Sequence, residues 1–145
     1  MYNALDVAKY VINYCNEKQQ PISNLKLQKL LYFLWVDFYK QRKCSLFHDN
    51  ICAWQLGPVV PAVYYEFCSY AGLPIARKYC VANIEENDKT IIEKIIDNYI
   101  NLSAFKLVEK THESNTPWAK VYNNGTGARN IIPADLILKL ECANC

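Results

Sequence analysis

His112 stands between Thr111 and Glu113, and seven cysteines are spread along the chain. The first chemistry to weigh is therefore a thiol nucleophile activated by an imidazole. Nothing in the spacing ties His112 to one sulfur: Cys15, Cys44, Cys52, Cys68 and Cys80 all occur singly. In a reducing compartment, single cysteines behave as small core hydrophobes. The plainer reading of His112 is a residue near a helix C-terminus that hydrogen-bonds terminal carbonyls and packs under a turn.

The one spaced pair is Cys142 and Cys145, with only His48 and His112 as imidazoles to complete a set. A four-ligand zinc site normally shows both halves in sequence. The pair is read instead as two thiols on a flexible tail, residues 142–145, and no metal or cofactor is expected. Searches for a GxxxxGK[ST] loop, GxGxxG, HExxH and GxSxG find none of them. The expectation is a protein that is not an enzyme.

Composition narrows the partner classes. Sixteen Lys+Arg against fourteen Asp+Glu give a net charge of +2, too weak to announce nucleic acid or a membrane by bulk electrostatics. Seven of the basic groups and three of the acidic ones precede Ser45, and Lys40, Arg42 and Lys43 read as a solvated helix end. Stacking platforms for nucleic acid interleave aromatic with basic residues, yet Tyr64, Tyr65, Phe67 and Tyr70 have only Glu66 as a charge among them. Tyrosines without basic neighbours suit protein interfaces, where each combines contact area with a wet hydroxyl; most also straddle core and surface in a monomer. The apolar run Leu30 to Val36 is enclosed by Lys29 and Asp37, far short of the roughly 20 residues a membrane span needs. Asp6 and Lys9 interrupt any secretion signal, so a cytoplasmic protein is expected.

The elements that must position these residues are mostly helical. At 145 residues, 52% of them hydrophobic, the chain makes about one domain with a buried core. Asn3 can cap a first amphipathic helix with Ala4, Ala8, Val11 and Cys15 on its apolar stripe. Ser23 can cap a second in which Leu27, Leu30, Leu31, Leu34 and Phe38 follow helical spacing. Tyr32, Phe33 and Trp35 fill its other sides, which makes it the central helix. The period changes over Leu46 to Leu56, read as a short β-hairpin with turn chemistry at Asp49-Asn50 and an end at Gly57-Pro58. Pro58 or Pro61 opens the next helix, with Val63, Tyr64 and Phe67 on its core side. Thr90 with Glu93 reads as a capping box, Ser103 as a further cap, Thr116-Pro117 as a cap and first turn, and Pro133 leads into a last helix. The fold class is mainly α: about six helices with a short hairpin near residues 46–56.

In this order the segments LKLQKLLYF (Leu25 to Phe33), LFHDNICAWQLGPVVPAVYYEF (Leu46 to Phe67), THESNTPW (Thr111 to Trp118) and IIPADLI (Ile131 to Ile137) strongly resemble the Panacea domain of SocA-like antitoxins. That family is also labelled phage-associated GepA-like proteins. The resemblance runs from about residue 4 to about residue 140, and places the domain at residues 1–141. It implies a compact helical domain that lacks catalytic activity and neutralises a cognate toxin protein by direct binding, with some members delivering the toxin to a host protease. No added DNA-binding helix-turn-helix is read here, so direct nucleic-acid binding is not expected. A phage or mobile-element regulator that binds a host protein or nucleic acid is the alternative, followed by a thiol enzyme. The motif residues carried over are Trp54, Gly57, Pro58, Val59, Pro61, Tyr64, Thr111, His112, Pro117 and Trp118. They are expected to define the fold first, with a toxin-facing role as the alternative, and specificity for one toxin should lie outside them.

Overall fold

The computed structural model describes residues 1–143, so the Cys145 half of the terminal pair lies outside the described residues. Seven α-helices, two single-turn 3₁₀ helices (Cys68–Tyr70 and Asn123–Gly125) and one two-stranded antiparallel hairpin make up the regular structure among them. The first helix, α1 (Ala4–Glu17), is capped by the Asn3 side chain, which accepts from Leu5 N–H. Its stripe of Ala4, Ala8, Val11 and Cys15 is fully buried.

The second helix, α2 (Asn24–Arg42), starts at Ser23, whose hydroxyl accepts from Lys26 N–H, and ends at Lys43 in the left-handed conformation. A helix that is apolar nearly all round can satisfy every face only by being surrounded. Leu27, Leu30, Leu31, Leu34, Trp35 and Phe38 are buried accordingly. Around α2 pack α1, α3 (Pro61–Phe67), α4 (Glu86–Tyr99), α5 (Ala104–His112), α7 (Ala134–Glu141) and one hairpin strand. The remaining helix, α6 (Pro117–Tyr122), is seated against α5, α7 and the other strand. No helix among the described residues is long and apolar enough to cross a membrane.

The hairpin is present, but its register differs from the expected one. Strands β1 (Cys52–Trp54) and β2 (Gly57–Val59) pair Cys52 with Val59, Ala53 with Pro58 and Trp54 with Gly57, so the turn is Gln55-Leu56. Gly57 begins the second strand instead of ending the hairpin. Asp49, read as turn chemistry, spends its carboxylate on the Ala4 N–H at 2.9 Å and closes the first turn of α1. A third segment lies along β1: Arg129 N–H donates to Ala53 O at 2.6 Å, Ala53 N–H to Asn130 O at 2.8 Å, and Ile132 N–H to Ile51 O at 2.8 Å.

The expected capping box also moves. Helix α4 starts at Glu86, so Thr90 is inside it and donates to Glu86 O. Glu93 accepts instead from the Tyr10 hydroxyl of α1, Asp88 from Tyr2 and Asp97 from Tyr14. Burial and the neighbouring carboxylate together raise the pKa of each of these three tyrosines. This ladder fastens α1 to α4. The irregular segment between α3 and α4 is pinned by α1 as well, with the Asn13 amide bonding both the N–H and the carbonyl of Tyr79. Arg42 is more than a solvated helix end, since its Nε lies 3.2 Å from the nearly buried Asp88 carboxylate.

Candidate functional site

Three elements bring eight of the ten motif residues together near α2, and α3 carries the other two, Pro61 and Tyr64. The hairpin supplies Trp54, Gly57, Pro58 and Val59, the end of α5 supplies Thr111 and His112, and α6 supplies Pro117 and Trp118. Thr116 caps α6 by accepting from Ala119 N–H, and Pro117 occupies the first turn. That entry angle lays the Trp118 indole across the imidazole of His112, with ring centroids 3.8 Å apart and planes nearly parallel. Tyr122 continues the stack on the other side at 4.7 Å. The indole N–H donates to Trp54 O at 2.7 Å, which ties α6 to the hairpin.

Beneath this stack is a residue that the sequence reading treated only as a boundary charge. Lys29 is 0% exposed, and its Nζ donates to Pro58 O at 2.8 Å. Desolvation brings its pKa down to about 7. His112 is held below its usual range by burial first and by the nearby Lys29 second, and its Nε2 is buried without a hydrogen-bond partner. Gly57 closes over the amine with φ +111; a Cβ there would stand 2.7 Å from Thr111 Oγ1 and 3.0 Å from Lys29 Nζ. Only glycine satisfies both the backbone angle and the space. The Thr111 hydroxyl points back to Val108 O.

The residue before Lys29 on α2, Gln28, locks the following helix. Gln28 Oε1 accepts from Val60 N–H at 2.9 Å while its amide donates to Asn24 Oδ1, and Asn24 in turn donates to Tyr64 O. A polar chain of Gln28 and Asn24 thus fixes where Pro61 starts α3 and where Tyr64 sits. Helical spacing alone marks these positions as polar, so the reading missed them. The signal that could have found them is the crowding of apolar residues around Gln28 and Lys29, which leaves no exposed face for either.

Chemically, the amine of this cluster is sealed, although His112 is half-buried and lines a shallow hollow beside Val108 and Glu113. A lysine with depressed pKa beside an imidazole whose pKa is also lowered is the kind of pair that catalysis uses, but a nucleophile must reach its substrate, and Lys29 is covered on all sides. The two buried thiols shift the wrong way for attack: burial pushes Cys15 up to about 12 and raises Cys52 as well.

Outside the cluster, residues of α2, the hairpin, α3 and α6, with Ala128 and Arg129, line an open cleft of about 530 Å³. Trp54 forms its floor, with Tyr64 against the indole at 4.9 Å and Tyr65 at 5.9 Å. Leu56 at the hairpin turn and Tyr65 on α3 are 51% and 56% exposed. Arg129 lies over the Trp54 ring, 4.4 Å from its centroid. Trp54 and Tyr64, with the buried Val59, therefore line the cleft, while Gly57, Thr111 and Trp118 belong to the cluster behind it.

The family model for the SocA-like antitoxin Panacea domain matches residues 27–119, which run from α2 to α6 and include the cluster around Lys29. The chain belongs to that family. Among curated proteins, it is similar to the antitoxin SocA of Caulobacter vibrioides (strain NA1000 / CB15N), 32% identical over 137 residues that cover 86% of this chain and 72% of that protein. No solved structure matches the chain. All ten motif residues lie within the matched span. Arg129 lies beyond the matched span.

Proposed function

We propose that the chain is an antitoxin that neutralises a cognate toxin by binding it directly, as a cytoplasmic and non-enzymatic protein, through the aromatic cleft over Trp54. Family membership supports the antitoxin role. The observation that carries the binding surface is the division of the motif: a half that builds the domain around the buried Lys29 amine, and a half, Trp54 and Tyr64, that lines the cleft with exposed Leu56 and has exposed Tyr65 beside the Trp54 indole. Exposed aromatic and aliphatic side chains on a rigid platform are what protein interfaces use as anchors. The platform is rigid because Gln28, Lys29 and Trp118 bond its backbone from below. In this reading Gly57, Pro58, Val59, Pro61, Thr111, His112, Pro117 and Trp118 define the fold within a domain at residues 1–141. Trp54 and Tyr64 serve both fold and interface.

The test is co-expression with the protein encoded by the adjacent reading frame, scored by growth and by recovery of a complex. The wild type should restore growth and retain the partner. Leu56→Ala with Tyr65→Ala should lose both while thermal unfolding stays near wild type, since both side chains are half exposed. Rescue without a recoverable complex would argue against direct binding, and undiminished binding by the double variant would place the interface elsewhere.

A further inference from the structure

Arg129 is built into the cleft in a way that an ordinary surface arginine is not. Its backbone holds φ 69, a left-handed conformation uncommon for a residue with a side chain. The hydrogen bond from its N–H to Ala53 O at 2.6 Å keeps it there, against the strand that carries Trp54. From that position the guanidinium is stacked on the Trp54 indole, with Nη1 3.4 Å from the Tyr65 hydroxyl. Among the described residues lining the cleft it is the one charged side chain, and no carboxylate of the described residues pairs with it. Apart from Nη1, no donor of its guanidinium has an acceptor among the described residues. A guanidinium seated on a ring has already lost much of its rotamer freedom, which lowers the cost of binding an anion there.

We propose that the cleft takes a segment of the bound toxin in which an Asp or Glu side chain is flanked by apolar residues. The carboxylate pairs with Arg129 while the flanking residues cover Leu56, Tyr64 and Tyr65. The inference rests on the antitoxin reading and narrows it to one recognition chemistry. Charge complementarity selects the anion, because the cleft presents a cation and no acid. Geometry selects an internal residue over a chain end: apolar surface surrounds the guanidinium from three elements, the hairpin turn, α3 and α6, through Leu56, Tyr64 and Tyr122. The planar fork of arginine suits a carboxylate held by two parallel hydrogen bonds. Arg129 also lies outside residues 27–119, where a feature particular to one toxin belongs.

The probe is a displayed library of random short peptides, selected on the purified chain and then measured as labelled synthetic peptides by fluorescence polarisation. Arg129→Asn removes the charge and retains a residue at ease with positive φ, so folding should be preserved, as circular dichroism and thermal unfolding can confirm. Selected peptides should share an acidic residue between apolar ones. Their affinity should fall about tenfold or more with Arg129→Asn, equally with Glu→Gln in the peptide, and little further when both changes are combined. Peptides without a common acid, no enriched peptide at all, or equal binding by the folded Arg129→Asn chain would overturn the inference. Co-expression separates the two levels. If Arg129→Asn holds the adjacent toxin as well as the wild type does, this inference fails and the antitoxin reading stands; if the wild type holds no toxin, the antitoxin reading fails first.

Discussion

Replacing Lys29 by Met should turn a pH-dependent domain into one whose stability barely changes between pH 7 and 9. Lys29 is wholly buried, and burial brings its pKa from 10.5 down to about 7. Between those values the unfolded chain binds the proton and the folded chain does not, so stability rises with pH across that interval and the cost of the buried ammonium is full below it. Each unit is about 1.4 kcal/mol, which gives about 5 kcal/mol at pH 6 and a gain of about 3 kcal/mol from pH 7 to 9. Methionine fills a similar volume without charge but leaves Pro58 O without its donor, a loss of about 1 to 3 kcal/mol. The variant should therefore be more stable than wild type at pH 6 by about 2 to 4 kcal/mol, and within about 1 kcal/mol of it at pH 9, where about 2 kcal/mol of the cost remains. Other groups bound the window. Cys15, pushed up to about 12, ionises first in the unfolded chain and lowers stability above pH 9, and the raised tyrosines Tyr10, Tyr32 and Tyr99 do the same above 10. Both proteins share those groups, so the difference between their curves isolates Lys29, apart from the release of His112 from its repulsion. The assay is urea unfolding at pH 6, 7, 8 and 9. Parallel curves for the two proteins would refute the buried, titrating amine.

Gly57→Val should cost at least about 3 kcal/mol, because a Cβ meets Thr111 Oγ1 at 2.7 Å on a backbone with φ +111; a urea midpoint near wild type would contradict this. Trp118→Ala should cost about 3 to 5 kcal/mol by emptying the stack and leaving Trp54 O without its donor, and thermal unfolding measures it directly. His112→Gln gives up the ring stacking, about 0.5 to 1.5 kcal/mol, and should keep growth rescue; a folded variant that holds toxin yet fails to rescue would point to a chemical step at His112. Arg42→Gln should destabilise by about 1 to 2 kcal/mol, since Asp88 keeps only the Tyr2 hydroxyl, whereas Lys40→Gln and Lys43→Gln should stay within about 0.5 kcal/mol in the same unfolding assay.

Features written in neighbouring residues could be read from the chain alone. The caps at Asn3, Ser23, Ser103 and Thr116 are in place because each bonds an N–H two or three residues on. The all-round apolar pattern of α2 implied its central position, and it has that position. What escaped depends on partners distant in sequence. Asp49 has turn chemistry, but the N-terminus of α1 claims it, and Glu93 is claimed by Tyr10 before it can close a capping box with Thr90. The segment beside β1 has no alternation to betray it, since Arg129 and Asn130 pair through backbone alone. The candidate site divided in the same way. The motif residues were legible as a set through the family pattern, but Lys29 and Arg129 were not: one hides a charge inside an apolar helix, and the other acts from a loop whose composition suggests only a turn.

The central claim, that toxin binds over Trp54, is tested most directly by hydrogen–deuterium exchange of the chain alone and in complex with the adjacent toxin. Protection should appear at the hairpin turn, residues 54–57, at the start of α3 around Tyr64 and Tyr65, and at residues 128–130, while the far side of α4 exchanges at its free rate. Protection confined to α1 and α4, with the hairpin turn and Arg129 unchanged, would contradict the account.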